Sequence, residues 1–248
     1  MDDKVIAGFK RDFAAIKAKG FVPSSRLHDT GIGKTFEDLM QIHENNNFLA
    51  DYMGILELKS SRELSKVMIT LFTKAPMPDG INSELREKYG EPDSKAGGLK
   101  TIHTTISGAK FNTFARRLGF KLEVDESVKK IFIIIKDLQT DKLLDKTAYY
   151  DFKILRKIID KKNKYIAYVS AEHKKEHGKE LFHFNKAELL TGLTFDKFIK
   201  LVRDGIILYD IRIGVYRSGG NKGKTHDHGA GFRILKDNLS KVFDIEEL

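Results

Sequence analysis

The apolar residues of this 248-residue chain come in short runs, the longest being Ile131–Ile135 and Ile206–Tyr209. That feature limits the fold more than any other. A helix that crosses a bilayer needs about 20 consecutive apolar residues, so none is expected. Short apolar runs bounded by Gly, Pro, Asn or Ser are the signature of strands, and apolar residues recurring at steps of three and four mark helices. Both patterns occur along the chain, and 41% hydrophobic residues are enough to bury a core. The length fits one large domain or two small lobes, at about 100–200 residues per domain.

The spacing of Ile6, Phe9, Phe13 and Ile16 predicts an amphipathic helix over residues 3–19, stopped by Gly20. A glycine-containing loop leads to a second helix, expected to be capped by Thr35 and ended by Asn45-Asn46-Asn47, with Phe36, Leu39, Met40 and Ile42 or His43 on its apolar face. Ile55–Lys59 reads as a strand, and Val67–Phe72 as its neighbour, ended by Pro76-Met77-Pro78-Asp79-Gly80. After a polar loop at Gly90–Gly98, strands are expected at Phe120–Val124, Val128–Ile135, Tyr165–Ser170, Ile206–Tyr216 and Phe232–Leu235. Helices are expected at Asp151–Lys161, at Thr194–Arg203 and at the C-terminus. The class is α+β, with short helices on mixed sheets.

Composition narrows the chemistry. There is no cysteine, which excludes a disulfide scaffold, a thiolate nucleophile and any Cys-ligated metal. No G-x-S-x-G elbow supports serine hydrolysis. The start, Met1-Asp2-Asp3-Lys4, lacks a secretory signal, so a cytoplasmic protein without a membrane partner is expected. The formal net charge of +9 points weakly to a polyanionic partner.

Three constellations carry possible chemistry. Gly31-Ile32-Gly33-Lys34-Thr35 resembles part of a phosphate-binding loop, but His28 stands where the first glycine is required and no buried strand feeds it. It reads as a glycine loop entering a helix. The second is Asp51 with Glu57-Leu58-Lys59. Acid-x-Lys triplets start at Asp2, Glu57, Asp93, Asp151, Asp160 and Glu172, and only the one at Glu57 lies within a short apolar strand. Residues two apart on a strand share a face, so Glu57 and Lys59 point one way and Leu56 and Leu58 the other. A bend at Gly54 could return Asp51 to them. Two carboxylates and a lysine suit metal-assisted phosphodiester cleavage, with Mg2+ on the carboxylates and the ammonium by the phosphate. The alternative is an edge-strand salt bridge.

The third constellation is Asp210-Ile211-Arg212-Ile213-Gly214, the loop from Arg217 to Lys224, and Thr225-His226-Asp227-His228 with Phe232-Arg233. Asp210, Arg212 and Gly214 share a strand face, and Lys222 and Lys224 sit among glycines that allow close approach to a phosphate backbone. Arg suits guanine and Asp suits cytosine in a major groove. His226 and His228 could instead hold a metal, and a solvated hairpin tip is the plain alternative.

These residues resemble the MvaI/BcnI type II restriction endonucleases. The resemblance lies in Thr30-Gly31-Ile32-Gly33-Lys34-Thr35-Phe36-Glu37-Asp38-Leu39, Leu56-Glu57-Leu58-Lys59, Thr70-Leu71-Phe72-Thr73-Lys74 and Lys164-Tyr165-Ile166-Ala167. It is most specific in Asp210-Ile211-Arg212-Ile213-Gly214, Gly223-Lys224-Thr225-His226-Asp227-His228-Gly229 and Phe232-Arg233-Ile234. It implies a restriction-endonuclease-like PD-(D/E)xK core, a mixed β-sheet flanked by helices, in two lobes around a DNA-binding cleft. Residues 1–105 are the expected catalytic lobe and 106–248 the recognition lobe, part of which returns to the first. It further implies a monomeric, Mg2+-dependent deoxyribonuclease that cuts double-stranded DNA at a GC-rich site such as CCWGG or CCSGG, one strand after the other. Asp51 and Glu57 would be metal ligands, Lys59 the catalytic lysine and Glu37 a further active-site acid. Asp210, Arg212, His226, Asp227, His228 and Arg233 would read bases, with Lys224 on the DNA backbone. A cognate DNA methyltransferase would be a functional partner. The alternatives are a MutH-like nickase needing activation and a non-catalytic DNA-binding protein.

Overall fold

The computed structural model describes residues 2–28, 30–42, 49–65 and 67–248. His43 and Asn45-Asn46-Asn47, expected on and at the end of the second helix, lie outside the described residues. The first elements in chain order are α1 (Asp2–Lys17), β1 (Val22–Pro23), α2 (Gly31–Leu39), β2 (Glu57–Arg62), β3 (Ile69–Thr73), α3 (Ile81–Tyr89), β4 (Glu91–Pro92) and β5 (Lys100–Ile106). Then come β6 (Leu118–Asp125), β7 (Lys130–Asp137), β8 (Leu143–Asp145), β9 (Tyr149–Asp151), α4 (Phe152–Lys162), β10 (Ile166–Glu176) and β11 (Lys179–Thr191). The last are α5 (Phe195–Arg203), β12 (Ile207–Val215), β13 (Thr225–Asp227), β14 (Gly231–Ile234), α6 (Leu239–Val242) and β15 (Asp244–Glu247). No helix among the described residues is long and apolar enough to cross a membrane.

Two compact units emerge, each discontinuous in sequence. Unit 1 holds Met1–Val67, Ile158–Thr194 and Ser240–Leu248; unit 2 holds Met68–Lys157 and Phe195–Leu239. The approximate boundary expected near 105/106 falls inside unit 2, and a later part of the chain, Ile158–Thr194, belongs to unit 1.

Unit 1 is a mixed sheet in the order β1-β11-β10-β2, with β15 beside β11. Strands β2 and β10 run parallel, pairing Glu57 with Ile166 and Lys59 with Tyr168. Phe9, Phe13 and Ile16 of α1 and Ile32 and Phe36 of α2 meet Leu56, Leu58, Val169, Phe182 and Phe184 in one core. Each such side chain contributes about 1.5–3 kcal/mol by leaving water. Helix α2 begins at Gly31 rather than at Thr35. A side chain at Gly31 would press on Arg26, its Cβ falling 2.4 Å from the carbonyl oxygen, so only glycine lets the helix start there. Thr35 is buried inside the helix, donating to the Gly31 carbonyl at 2.7 Å and accepting the Ser25 N–H at 2.9 Å.

Unit 2 carries a sheet in the order β3-β14-β12-β5-β4, with β13 beside β12, and a second sheet, β6-β7-β8, with β9 beside β7. The strand at residues 69–73 is therefore not the neighbour of β2. It joins β14 instead, because Phe72 pairs with Phe232, with ring centroids 5.2 Å apart. Phe232 also meets Tyr150 at 5.2 Å, Phe198 at 5.1 Å and Tyr209 at 5.1 Å, forming an aromatic core under the sheet. Asp151 opens α4 by accepting the Lys153 N–H at 2.8 Å.

Candidate functional site

The first site forms around β2 in unit 1. Upstream of it the chain makes a tight hairpin, with bridges Ala50–Gly54 and Tyr52–Leu56. Met53 and Gly54 hold left-handed backbone conformations at φ 52° and 72°, which reverse the chain within a few residues. The hairpin returns Asp51 to the strand, where its Oδ2 accepts the Leu58 N–H at 3.0 Å.

Leu56 and Leu58 enter the core while Glu57 and Lys59 share the other face, as the alternation requires. Lys59 Nζ lies 3.2 Å from Glu57 Oε1. Glu57 is nonetheless only 7% exposed. Burial raises its carboxyl above the ordinary value; Lys59 pulls it back, Asp51 raises it further, and Lys162 lowers it. Glu57 Oε2 is buried and has no hydrogen-bond partner among the described residues. Lys162 Nζ lies 3.9 Å from that oxygen.

Glu37 is half-buried on α2. It lies one turn beyond Gly33, whose Cβ position would fall 3.9 Å from Ser60 Oγ of β2, so Glu37 projects from the helix face turned to that strand.

The second site is one face of the large sheet in unit 2. Strand pairing places Asp210 opposite Thr105, Arg212 opposite His103 and Gly214 opposite His226, so these residues share a face. Ile211, Ile213, Ile102 and Ile106 point to the core on the other. Asp210 is the buried hub of the polar face: Oδ1 accepts from Thr105 Oγ1 at 3.0 Å and Oδ2 accepts from Arg212 Nε at 2.6 Å. Arg233 is also buried. Its Nη1 donates to Thr70 Oγ1 at 2.6 Å and its Nη2 to the Gly229 carbonyl at 2.9 Å. Its Nε is 3.2 Å from Asp210 Oδ2 without hydrogen-bond geometry, so that contact is ionic. Burial, helped by Arg212, lowers the Arg233 pKa, and Asp210 opposes this.

A groove of about 600 Å³ runs along this face, lined by His103, Thr104, Thr105, Asp210, Ile211, Arg212 and His228. Three imidazoles gather at its end. His226 stacks on Tyr216 at 4.1 Å between ring centroids, His228 lies 4.2 Å from His226, and His103 lies 6.2 Å from His228. Gly214 makes room for them, since a Cβ there would come within 2.7 Å of His228 Nε2. Burial lowers the His228 pKa, followed by the charges of His226, His103 and Arg217.

Two further expected residues are not among those lining the groove. Asp227 points its carboxylate into its own turn, accepting the N–H groups of Gly229 at 3.0 Å and Ala230 at 2.7 Å and the Asn82 amide at 3.1 Å. Lys224 is exposed on the loop and donates to Asn221 Oδ1 at 3.1 Å.

His103, Thr105 and Lys162 are additions that the sequence reading missed. Strand β5 had a usable signal in the alternation of Ile102 and Ile106 with polar residues. Lys162 had none, because only the parallel pairing of β2 with β10 brings the end of α4 to Glu57.

Comparison with known proteins bears on both sites. A solved structure described as a complex of restriction endonuclease MvaI with cognate DNA substrate matches with a TM-score of 0.89 and 36% sequence identity, covering 100% of this chain and 99% of that one. MvaI in the absence of DNA matches with a TM-score of 0.62 and 37% identity, covering 96% of this chain and 95% of that one. No curated protein matches. The model of the MvaI/BcnI restriction endonuclease family matches residues 10–243. The chain, with its restriction-endonuclease-like α+β fold, belongs to the MvaI/BcnI restriction endonuclease family.

Proposed function

We propose that this chain is a Mg2+-dependent, site-specific endodeoxyribonuclease. It hydrolyses phosphodiester bonds of double-stranded DNA at a short GC-rich site of the CCWGG or CCSGG kind, as a monomer that cuts the two strands in succession. The observation that carries the reading is the return of Asp51 onto β2, beside the Glu57–Lys59 pair. MvaI, the matched structure, is described in complex with cognate DNA.

The residues fit a magnesium ion. Glu57 Oε2 is a buried oxygen without a hydrogen bond, and Asp51 is the acid beside it. Mg2+ binds through one or two carboxylates, here those of Asp51 and Glu57, and completes its shell with water and substrate phosphate. Bound there, the ion would polarise the phosphoryl group and acidify a water. Asp51 and Glu57 hold that charge in place, and Glu37 is the third acid on the adjoining helix. Lys59 donates its ammonium to Glu57 Oε1 at 3.2 Å, a position from which it can orient the attacking water and stabilise charge developing on the phosphate.

Sequence reading falls to the polar sheet face. Arg212 spends Nε on Asp210 and keeps its Nη groups for a guanine, while His228 offers ring nitrogens at the same groove and His226 at the pocket beside it. Arg233 and Asp227 support this surface from beneath, the first by pinning Asp210 and the second by shaping the turn after β13. Lys224 lies on the glycine-rich loop as a backbone contact.

The test uses the purified chain, Mg2+ and supercoiled plasmid with CCWGG and CCSGG sites. Linear product without any added protein supports the reading. Nicked product alone favours a MutH-like nickase, and binding without cleavage favours a non-catalytic DNA-binding protein.

A further inference from the structure

Glu57 faces two ammonium groups, and only one of them belongs to its own strand. Lys162 Nζ lies 3.9 Å from Glu57 Oε2, the oxygen without a hydrogen bond, and the two side chains are 26% and 9% exposed. The approach is fixed by the backbone. The Asn163 N–H closes α4 on the Ile159 carbonyl at 3.0 Å, and two residues later the Tyr165 carbonyl accepts the Glu57 N–H at 3.0 Å. Ile166 then pairs with Glu57 across the parallel ladder. Lys162 is thus held beside Glu57 by the turn that joins α4 to β10.

We propose that Lys162 is a positioning residue that serves as the counter-ion of Glu57 until a divalent cation and a DNA phosphate arrive together. The proposal rests on the reading of Asp51 and Glu57 as cation ligands. Glu57 has two ammonium groups beside it, Lys59 and Lys162, before any cation enters. A divalent ion alone would add two positive charges beside Lys162, which repels it. A phosphate removes that excess. Lys162 therefore keeps affinity for the cation low in the absence of DNA, and couples the binding of cation to the binding of substrate.

The experiment measures binding of Mg2+ alone to the DNA-free protein, from the rise of its melting temperature with Mg2+ concentration at about pH 8. The variants are Lys162→Met and Lys162→Gln, which remove the charge, and Lys162→Arg, which keeps it. The Mg2+ midpoint is expected to fall about three- to tenfold in both neutral variants and to stay at the parent value in Lys162→Arg. A midpoint that is unchanged or higher in whichever neutral variant folds overturns the proposal. Glu57→Gln separates it from the reading beneath it. If Glu57→Gln loses Mg2+ stabilisation while the neutral Lys162 variants keep the parent midpoint, the Lys162 role alone fails. If Glu57→Gln keeps full Mg2+ stabilisation, the metal seat itself is misplaced.

Discussion

Glu57 shows how one residue can be both legible and costly. Period-two alternation in a short apolar strand was enough to place it beside Lys59, because facing on a strand is a local property. Its burial was not legible, since that comes from β10 and α4, more than a hundred residues away. The energetic consequence has a sign. Burial raises the Glu57 carboxyl above its unfolded value, so the ionised form detracts from stability above the unfolded pKa and the penalty vanishes as pH falls below it. Glu57→Gln should therefore melt higher than the parent at neutral pH without metal, and lose this advantage near about pH 4, while cleaving no DNA. Melting scans at the two pH values check this; a lower melting temperature at neutral pH would contradict it. The arginines of unit 2 divide similarly. Arg212→Ala should lower discrimination at one base pair by about 1–3 kcal/mol, whereas Lys224→Ala should weaken binding to all sequences alike. Arg233→Ala should in addition destabilise the protein by about 1–3 kcal/mol, because it removes one of the two arginines at Asp210 and leaves Thr70 and the Gly229 carbonyl without their buried partner. Competition binding with single-base variants, alongside denaturant unfolding, distinguishes the three.

Elements were read best where their signals are local and uninterrupted. Helices α1, α4 and α5 and strands β7, β12 and β14 follow apolar spacing and turn residues closely. Strand β11 was hidden by a bulge. Its inward residues are Phe182 and Phe184, then Ala187 and Leu189, so the alternation changes parity at the register shift opposite Ser170/Ala171. Strand partners were less legible still: nothing in residues 67–72 says that Phe72 should seek Phe232 rather than β2. The polar sheet face, once assembled, makes Gly214 a sensitive position. A Cβ there meets the far end of the His228 ring rather than backbone. Gly214→Ala should thus displace His228 and erode base discrimination, at a stability cost of about 0.5–3 kcal/mol. A stable, fully discriminating Gly214→Ala variant would remove His228 from the reading surface.

For the molecule as a whole, the net charge of +9 was a weak pointer until the sheet gave it a place. From Arg212 to Arg233 the chain has five basic residues and one acid, Asp227, and that acid is tied into its own turn. DNA affinity should accordingly fall steeply with salt, and Lys224→Ala should lower the slope of log K against log salt by about one. A monomer with one active site should release a nicked intermediate before the linear product, visible in a plasmid time course. The claim on which all of this depends is that the Glu57–Lys59 strand carries the chemistry. Its most direct test is Lys59→Ala, assayed for cleavage with Mg2+ and for binding to the same duplex. Loss of cleavage by several orders of magnitude with near-parent affinity is the predicted result; cleavage at the parent rate would contradict the account.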